Sequence, residues 1–130
     1  MWLRDSSNQA HSYVPLLNAS SSPDSIASIF RGIINLQARY LLLSPYSNSF
    51  QPPAESGIAP ASNGGGPPDN VFPPVSNSTV FEAKFELDSL AAFLQISSDY
   101  YGATGDAEFF GKFHWMEAVE AVLEVVSTRH

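Results

Sequence analysis

Between Ser22 and Ser44 the chain sets Ile26, Ile29, Phe30, Ile33, Ile34 and Leu41 at three- to four-residue intervals, with Arg31, Asn35 and Arg39 between them. That rhythm predicts an amphipathic helix. Ser22 followed by Pro23 and Asp24 supplies a capping hydroxyl, a pre-set φ and an acid for the first turn, and Ser44-Pro45 marks the end. A break at Ala19 to Ser22 separates it from an earlier helix, in which Pro15 predicts a kink or an early stop. A third helix is predicted from Phe85 to Tyr101, with Leu87, Leu90, Ala91 and Leu94 on one face. Phe93, Ile96 and Tyr100 widen that face, so this helix is expected to be buried on more than one side. Gly102 to Asp106 turns the chain, with Asp106 as the expected cap of the last helix. There Phe109, Phe113, Met116, Val119, Leu123 and Val126 form a stripe, while Lys112, Glu117, Glu120 and Glu124 fall off it. Such a helix belongs at an outer surface.

Residues 44–80 have no such rhythm. They contain eight of the ten prolines and the Gly64-Gly65-Gly66 run. The composition reads as a flexible Pro/Gly/Ser-rich loop inserted in one domain, or as a linker between two. The predicted fold class is therefore all-α: about four helices, arranged as two antiparallel hairpins, with a long loop between them.

Charge and composition narrow the function classes. A net charge of -7 with six Lys and Arg excludes a sequence-independent grip on nucleic acid. The chain has no cysteine, and no apolar run approaches the roughly 18 to 20 residues of a membrane span. His11, His114 and His130 lack metal-ligand spacing, and Gly64 to Gly66 lacks the Lys and helix of a phosphate loop, so no metal or cofactor is expected.

Chemistry gathers at two helix starts. If the hairpins stack side by side, the first and third helices run parallel, and Trp2 to Ser6 shares a rim with Phe81 to Ser89. Arg4, Asp5, Lys84, Glu86 and Asp88 then converge beside Trp2. Arg donors, carboxylate acceptors and an aromatic face suit a polyhydroxylated ligand. Simpler roles stand beside this one. Asp5 can be an N-cap with Ser6, Trp2 can be packing, and Lys84, Glu86 and Asp88 can form an ion-pair network that orients Arg4. Asn77-Ser78-Thr79 and Asn18-Ala19-Ser20 fit the N-glycosylation pattern.

The runs Trp2-Leu3-Arg4-Asp5-Ser6-Ser7-Asn8-Gln9, Arg31-Gly32-Ile33-Ile34 to Gln37-Ala38, Ser44-Pro45-Tyr46-Ser47-Asn48-Ser49-Phe50, Phe85-Glu86-Leu87-Asp88-Ser89-Leu90 and Ala103-Thr104-Gly105-Asp106 occur in that order. Together they resemble glycoside hydrolase family 125, in particular its fungal branch. The resemblance implies an (α/α)6 barrel and an inverting exo-α-1,6-mannosidase, with Trp-Leu-Arg-Asp near the terminal-sugar subsite. It also implies a mannose-containing glycan as partner and, with the sequons, a secretory or extracellular location. Ala91 stands where many relatives carry Cys, and the loop from Gln51 to Thr79 matches poorly.

A six-hairpin barrel needs twelve helices, so residues 1–130 are expected to be a partial domain, truncated at both ends and exposing apolar helix faces. Inverting hydrolysis uses two carboxyl groups roughly 6.5 to 9.5 Å apart, a spacing open to Asp5 with Asp88. The resemblance implies an acid and base further downstream, so no catalytic residue is assigned. Trp2, Arg4, Asp5, Lys84, Glu86 and Asp88 are the candidate sugar-binding residues. The alternative is a non-catalytic helical module that binds a glycan or a protein through the same rim.

Overall fold

The computed structural model describes residues 1–61 and 76–128. Four helices carry the fold: α1 (Leu3–His11), α2 (Ile26–Leu43), α3 (Leu87–Thr104) and α4 (Trp115–Thr128). Short 3-10 turns occupy Val14–Leu16, Ala54–Ser56 and Glu108–Gly111. The arrangement is all-α and corresponds to part of an (α/α)6 barrel.

α1 is short because Pro15 sits at the start of the 3-10 turn that follows it, the early stop that its fixed φ and missing N–H predict. α2 begins later than Ser22. Its cap is Ser25, whose hydroxyl accepts the Ser28 N–H at 3.1 Å, and Ser22 instead accepts the Ser25 N–H and hydroxyl on its carbonyl. Pro23 and Asp24 thus lie in a turn before the helix. α3 closes on Gly105 at φ 67°, a left-handed conformation that a side chain would strain.

The core joins Leu3, Phe30, Ile34, Leu41, Phe50, Leu90, Phe93, Ile96 and Tyr100. Two faces differ from the expected ones. On α3 the wider set of Phe93, Ile96 and Tyr100 is buried with Leu90, while Leu87, Ala91 and Leu94 are exposed. The larger rings claim the side that faces α1 and α2. On α4 the buried residues are Ala118, Val122 and Val125, while Met116, Leu123 and Val126, with Phe113 before the helix, lie outside. The expected stripe was counted from Phe109, but Phe109 enters the core from a 3-10 turn. The helix starts only at Trp115, so the phase does not carry through. α2 likewise leaves Ile29 exposed.

Two polar contacts show that α1 and α3 are parallel: Arg4 meets Asp88 at 2.7 Å near their starts, and His11 Nδ1 meets Asp99 Oδ2 at 2.8 Å further along. α2 runs against both. Gln37, late in α2, bonds to the first turn of α1, and Arg31, early in α2, reaches the Tyr100 hydroxyl late in α3 at 3.1 Å. The start of α4 returns beside α3, where the Trp115 indole donates to Ser97 at 2.9 Å. The most extensive helix contacts join α1 to α3 and α2 to α4, so consecutive helices are not each other's main partners.

The segment 44–80 is more ordered at its flanks than its composition predicts. β1 (Ser49–Phe50) pairs antiparallel with β2 (Val80–Glu82), and Trp2 bridges to Ser49 on the other side. Ser44 and residues 47–51 are buried. Tyr40 stacks on Phe50 at 4.5 Å and donates to the Gln51 carbonyl at 2.6 Å. The Gln51 carboxamide bonds to Ala61 and to the Asn77 carbonyl, holding the two flanks together. The remainder of the expected loop, with Gly64 to Gly66, lies outside the described residues.

The register of α4 has a direct test. Val122→Ala is expected to cost about 2 kcal/mol in urea unfolding, and Leu123→Ala less than about 0.5 kcal/mol. The reverse order of costs would restore the stripe read from periodicity.

Candidate functional site

The rim begins with the backbone. Met1 and Phe50 exchange hydrogen bonds, with Phe50 N–H donating to the Met1 carbonyl at 2.8 Å, and the Leu3 N–H donates to the Asn48 carbonyl at 3.1 Å. The chain start is therefore a third strand-like edge on the small sheet, and α1 springs from it. β2 leads into the segment before α3, where the Lys84 N–H donates to Asn48 Oδ1 at 3.3 Å. Asn48 Nδ2 donates to Glu82 Oε1 at 2.9 Å. One buried asparagine thus sets the starts of α1 and α3 side by side.

On this frame Arg4 Nη1 lies 2.7 Å from Asp88 Oδ2, and Arg4 Nε lies 3.8 Å from Asp5 Oδ1. All three side chains are at least half exposed. The hydrogen bond and charge of Asp88, with Glu86 and Asp5 behind it, raise the Arg4 guanidinium above its ordinary pKa. Lys84 Nζ pairs with Glu86 Oε1 at 3.3 Å, and Glu86 Oε2 accepts from the Ser89 hydroxyl at 3.3 Å. The expected residues therefore form two adjoining groups, Arg4 with Asp5 and Asp88, and Lys84 with Glu86. Glu86 links them through its charge.

Asp5 is not the N-cap of α1. Trp2 holds that position through its backbone, its carbonyl accepting the Ser6 N–H at 3.0 Å and the Ser6 hydroxyl at 2.7 Å. Asp5 lies in the first turn, where a carboxylate meets the positive end of the helix dipole. The Trp2 indole meets Phe81 edge-on at 6.1 Å and remains 39% exposed, so it packs on one side and leaves aromatic surface open.

Three polar groups were not among the candidate site residues read from the sequence. Gln37 is fully buried against the first turn of α1, and Asn48 organises the sheet. Arg31, Tyr100 and Asp106 form the third. The Tyr100 hydroxyl receives from Arg31 and donates to Asp106 Oδ2 at 2.6 Å. Asp106 Oδ1 accepts the Phe109 N–H at 3.2 Å, so its carboxylate serves the 3-10 turn whose N-cap position is Ala107, and it does not cap α4. Burial, then the bond to Asp106, raises the Tyr100 pKa.

A cleft of about 420 Å³ lies further along α3, lined by Leu94, Ser97, Ser98, Tyr101, Phe110 and Trp115. None of the rim residues lines it. Asn18 and Asn77 are both exposed. Among the described residues no group of three His, Cys, Asp or Glu is placed to hold a metal, and no helix is long and apolar enough to cross a membrane.

The chain matches, over residues 1–130, the family described as metal-independent alpha-mannosidase (GH125). It is also 42% identical over 125 residues to the Meiotically up-regulated gene 157 protein of Schizosaccharomyces pombe. That match covers 96% of this chain and 23% of the yeast protein, so the chain spans under a quarter of its relative's length.

Asp106 gives the fold a pH signature. The Tyr100 hydroxyl first, and the Phe109 N–H after it, hold its carboxyl below the ordinary range. A carboxyl lowered in the folded state contributes fully above its unfolded pKa, about 4, and loses that contribution as pH falls toward the folded value. Urea midpoints measured from pH 6 down to 2.5 are expected to fall more steeply below pH about 4 for the wild type than for Asp106→Asn. Parallel curves would remove Asp106 from the acid response.

Proposed function

Because the chain belongs to glycoside hydrolase family 125, the metal-independent α-mannosidases, we propose that its rim supplies part of the terminal-mannose subsite of such an enzyme. In this reading it binds sugar hydroxyls and leaves the chemical step to groups outside the rim. The observation that carries it is the Arg4–Asp88 pair, which unites two helix starts 84 residues apart in a half-exposed position.

A mannose ring presents adjacent hydroxyls that each donate and accept. Arg4 offers five N–H donors in a fixed plane, and one of its Nη atoms is committed to Asp88. Asp5 and Asp88 offer acceptors on either side of it, and the open part of the Trp2 ring offers an apolar surface for the sugar's C–H face. Lys84 and Glu86 adjoin this group, and the Glu86 charge helps to hold the guanidinium. None of the six is assigned as acid or base. Exposed sequons at Asn18 and Asn77 support a secretory route, where mannose-rich glycans occur.

A second reading, a non-catalytic helical module, draws on the exposed Met116 and Leu123 of α4 and Phe113 just before it, an apolar surface suited to a protein partner. Titration separates the two. With methyl α-mannoside and α-1,6-linked mannobiose added to the 15N-labelled chain, amide shifts are expected at residues 2–5 and 84–88. Arg4→Ala is expected to weaken binding at least about tenfold, and Asp88→Asn about fivefold. Shifts confined to α4, or none at the rim, would reject the sugar site.

A further inference from the structure

We infer that Gln37 is a positioning residue for the rim: its carboxamide, delivered from α2, fixes the rotation of the first turn of α1 so that Arg4 meets Asp88. The inference rests on the rim being the sugar site proposed above, and it adds a residue that lies wholly behind that surface.

Gln37 is 0% exposed. Its Nε2 approaches three oxygens, all in the first turn and a half of α1: the Leu3 carbonyl at 3.3 Å, Ser6 Oγ at 2.9 Å and Ser7 Oγ at 3.0 Å. The orientation of the amide follows from these partners. A backbone carbonyl can only accept, and the Ser6 hydroxyl already points its proton at the Trp2 carbonyl, so the nitrogen and not the oxygen must face α1. Gln37 Oε1 is then left buried with no hydrogen-bond partner among the described residues.

That orphan oxygen argues for a directional role. A buried amide with an unpaired acceptor is less favourable than a Met or Leu of similar volume, which would fill the space without a desolvated polar atom. What an apolar side chain cannot do is distinguish one rotation of α1 from another. α1 has nine residues, too few to be stable alone, and its N-cap makes no side-chain hydrogen bond. Its first turn is therefore set from outside, by the Asn48 carbonyl on the Leu3 N–H and by Gln37 on the inward face of Leu3, Ser6 and Ser7.

Successive residues in a helix are 100° apart, so fixing Leu3 and Ser7 inward also fixes the bearing of Arg4. A guanidinium reaches roughly 8 Å from the helix axis, so a rotation of about 20° moves it by about 3 Å. That displacement is enough to break the 2.7 Å contact with Asp88.

The test uses the full chain and reads Arg4 directly. In the wild type, Asp88→Asn is expected to shift the Arg4 Nε–Hε resonance. In Gln37→Met, which keeps length and volume but has no donors, that response is expected to disappear while the amide spectrum stays folded. Affinity for methyl α-mannoside is expected to fall about tenfold, and adding Arg4→Ala is expected to cost no more than about twofold further.

A role in packing alone predicts the opposite: a changed urea midpoint, an intact Arg4 response and the full Arg4→Ala loss. That result would overturn the assignment. Should Gln37→Met not fold, the Ser6→Ala/Ser7→Ala double variant removes two acceptors from the α1 side and is judged by the same readouts. If the wild type does not bind mannosides, the sugar-site reading fails by itself, and the Arg4 resonance still decides whether Gln37 positions the side chain.

Discussion

Asn48 is the constraint on which the rest of the structure depends. It is 2% exposed and uses every polar group it has: its N–H donates to the Glu82 carbonyl, its carbonyl accepts from Leu3, Oδ1 accepts from Lys84 and Nδ2 donates to Glu82 Oε1. A buried polar side chain satisfied on both ends stabilises the arrangement it is satisfied in and penalises others. Only an amide fits. Asp in this position would have no donor and would set a second carboxylate against Glu82, and Leu would leave the Lys84 N–H without its acceptor. Position 48 therefore welds the chain start, β1 and the approach to α3 into one unit, although 34 or more residues separate it from each side-chain partner.

The parallel course of α1 and α3 follows from that weld. Both helices leave the same small sheet, so their first turns lie level and their polar side chains come into register. Arg4 with Asp88 and His11 with Asp99 are the visible result. An exposed ion pair such as Arg4–Asp88 adds little to stability. The driving force is the apolar contact beneath, where Leu3, Phe30, Phe93 and Ile96 exclude water. The pairs mark the geometry, and at the rim they leave charged groups gathered where a ligand can reach them.

Much of this was legible in the sequence, and the failures have physical causes. The second, third and fourth helices show in the 3.6-residue rhythm, the first in the break before Ser22, its early end in Pro15, and the rim in the paired polar clusters at Arg4 and Asp88. Phase was lost where a 3-10 turn intervened: Phe109 is apolar and buried, but the residues after it do not continue in helical register into α4. β1 was hidden because Ser47-Asn48-Ser49, flanked by prolines, reads as loop, and only the tertiary setting makes these residues interior. Gln37 did carry a signal. With Ala27, Phe30, Ile34, Ala38 and Leu41 it occupies the inward stripe of α2, and a polar residue in the middle of an apolar face is one that the fold must satisfy.

The two ends of this accounting differ in kind. At the rim the hydrogen bonds are specific: Asn48 is fully used, and Trp2, Ser6, Leu3 and Gln37 Nε2 share one set of contacts, with Gln37 Oε1 the acceptor left over among the described residues. Along the sides of the helices, large apolar groups stay outside, with Leu87 and Tyr101 on α3, Met116 and Leu123 on α4 and Phe113 just before α4 each more than half exposed. Apolar surface of this sort is non-directional and accepts many neighbours, whereas the rim's geometry is specified bond by bond. The surface proposed to bind sugar is therefore the part of the chain whose geometry is set by its own hydrogen bonds. The helix faces affect how firmly that part is supported, and not which side chains it presents.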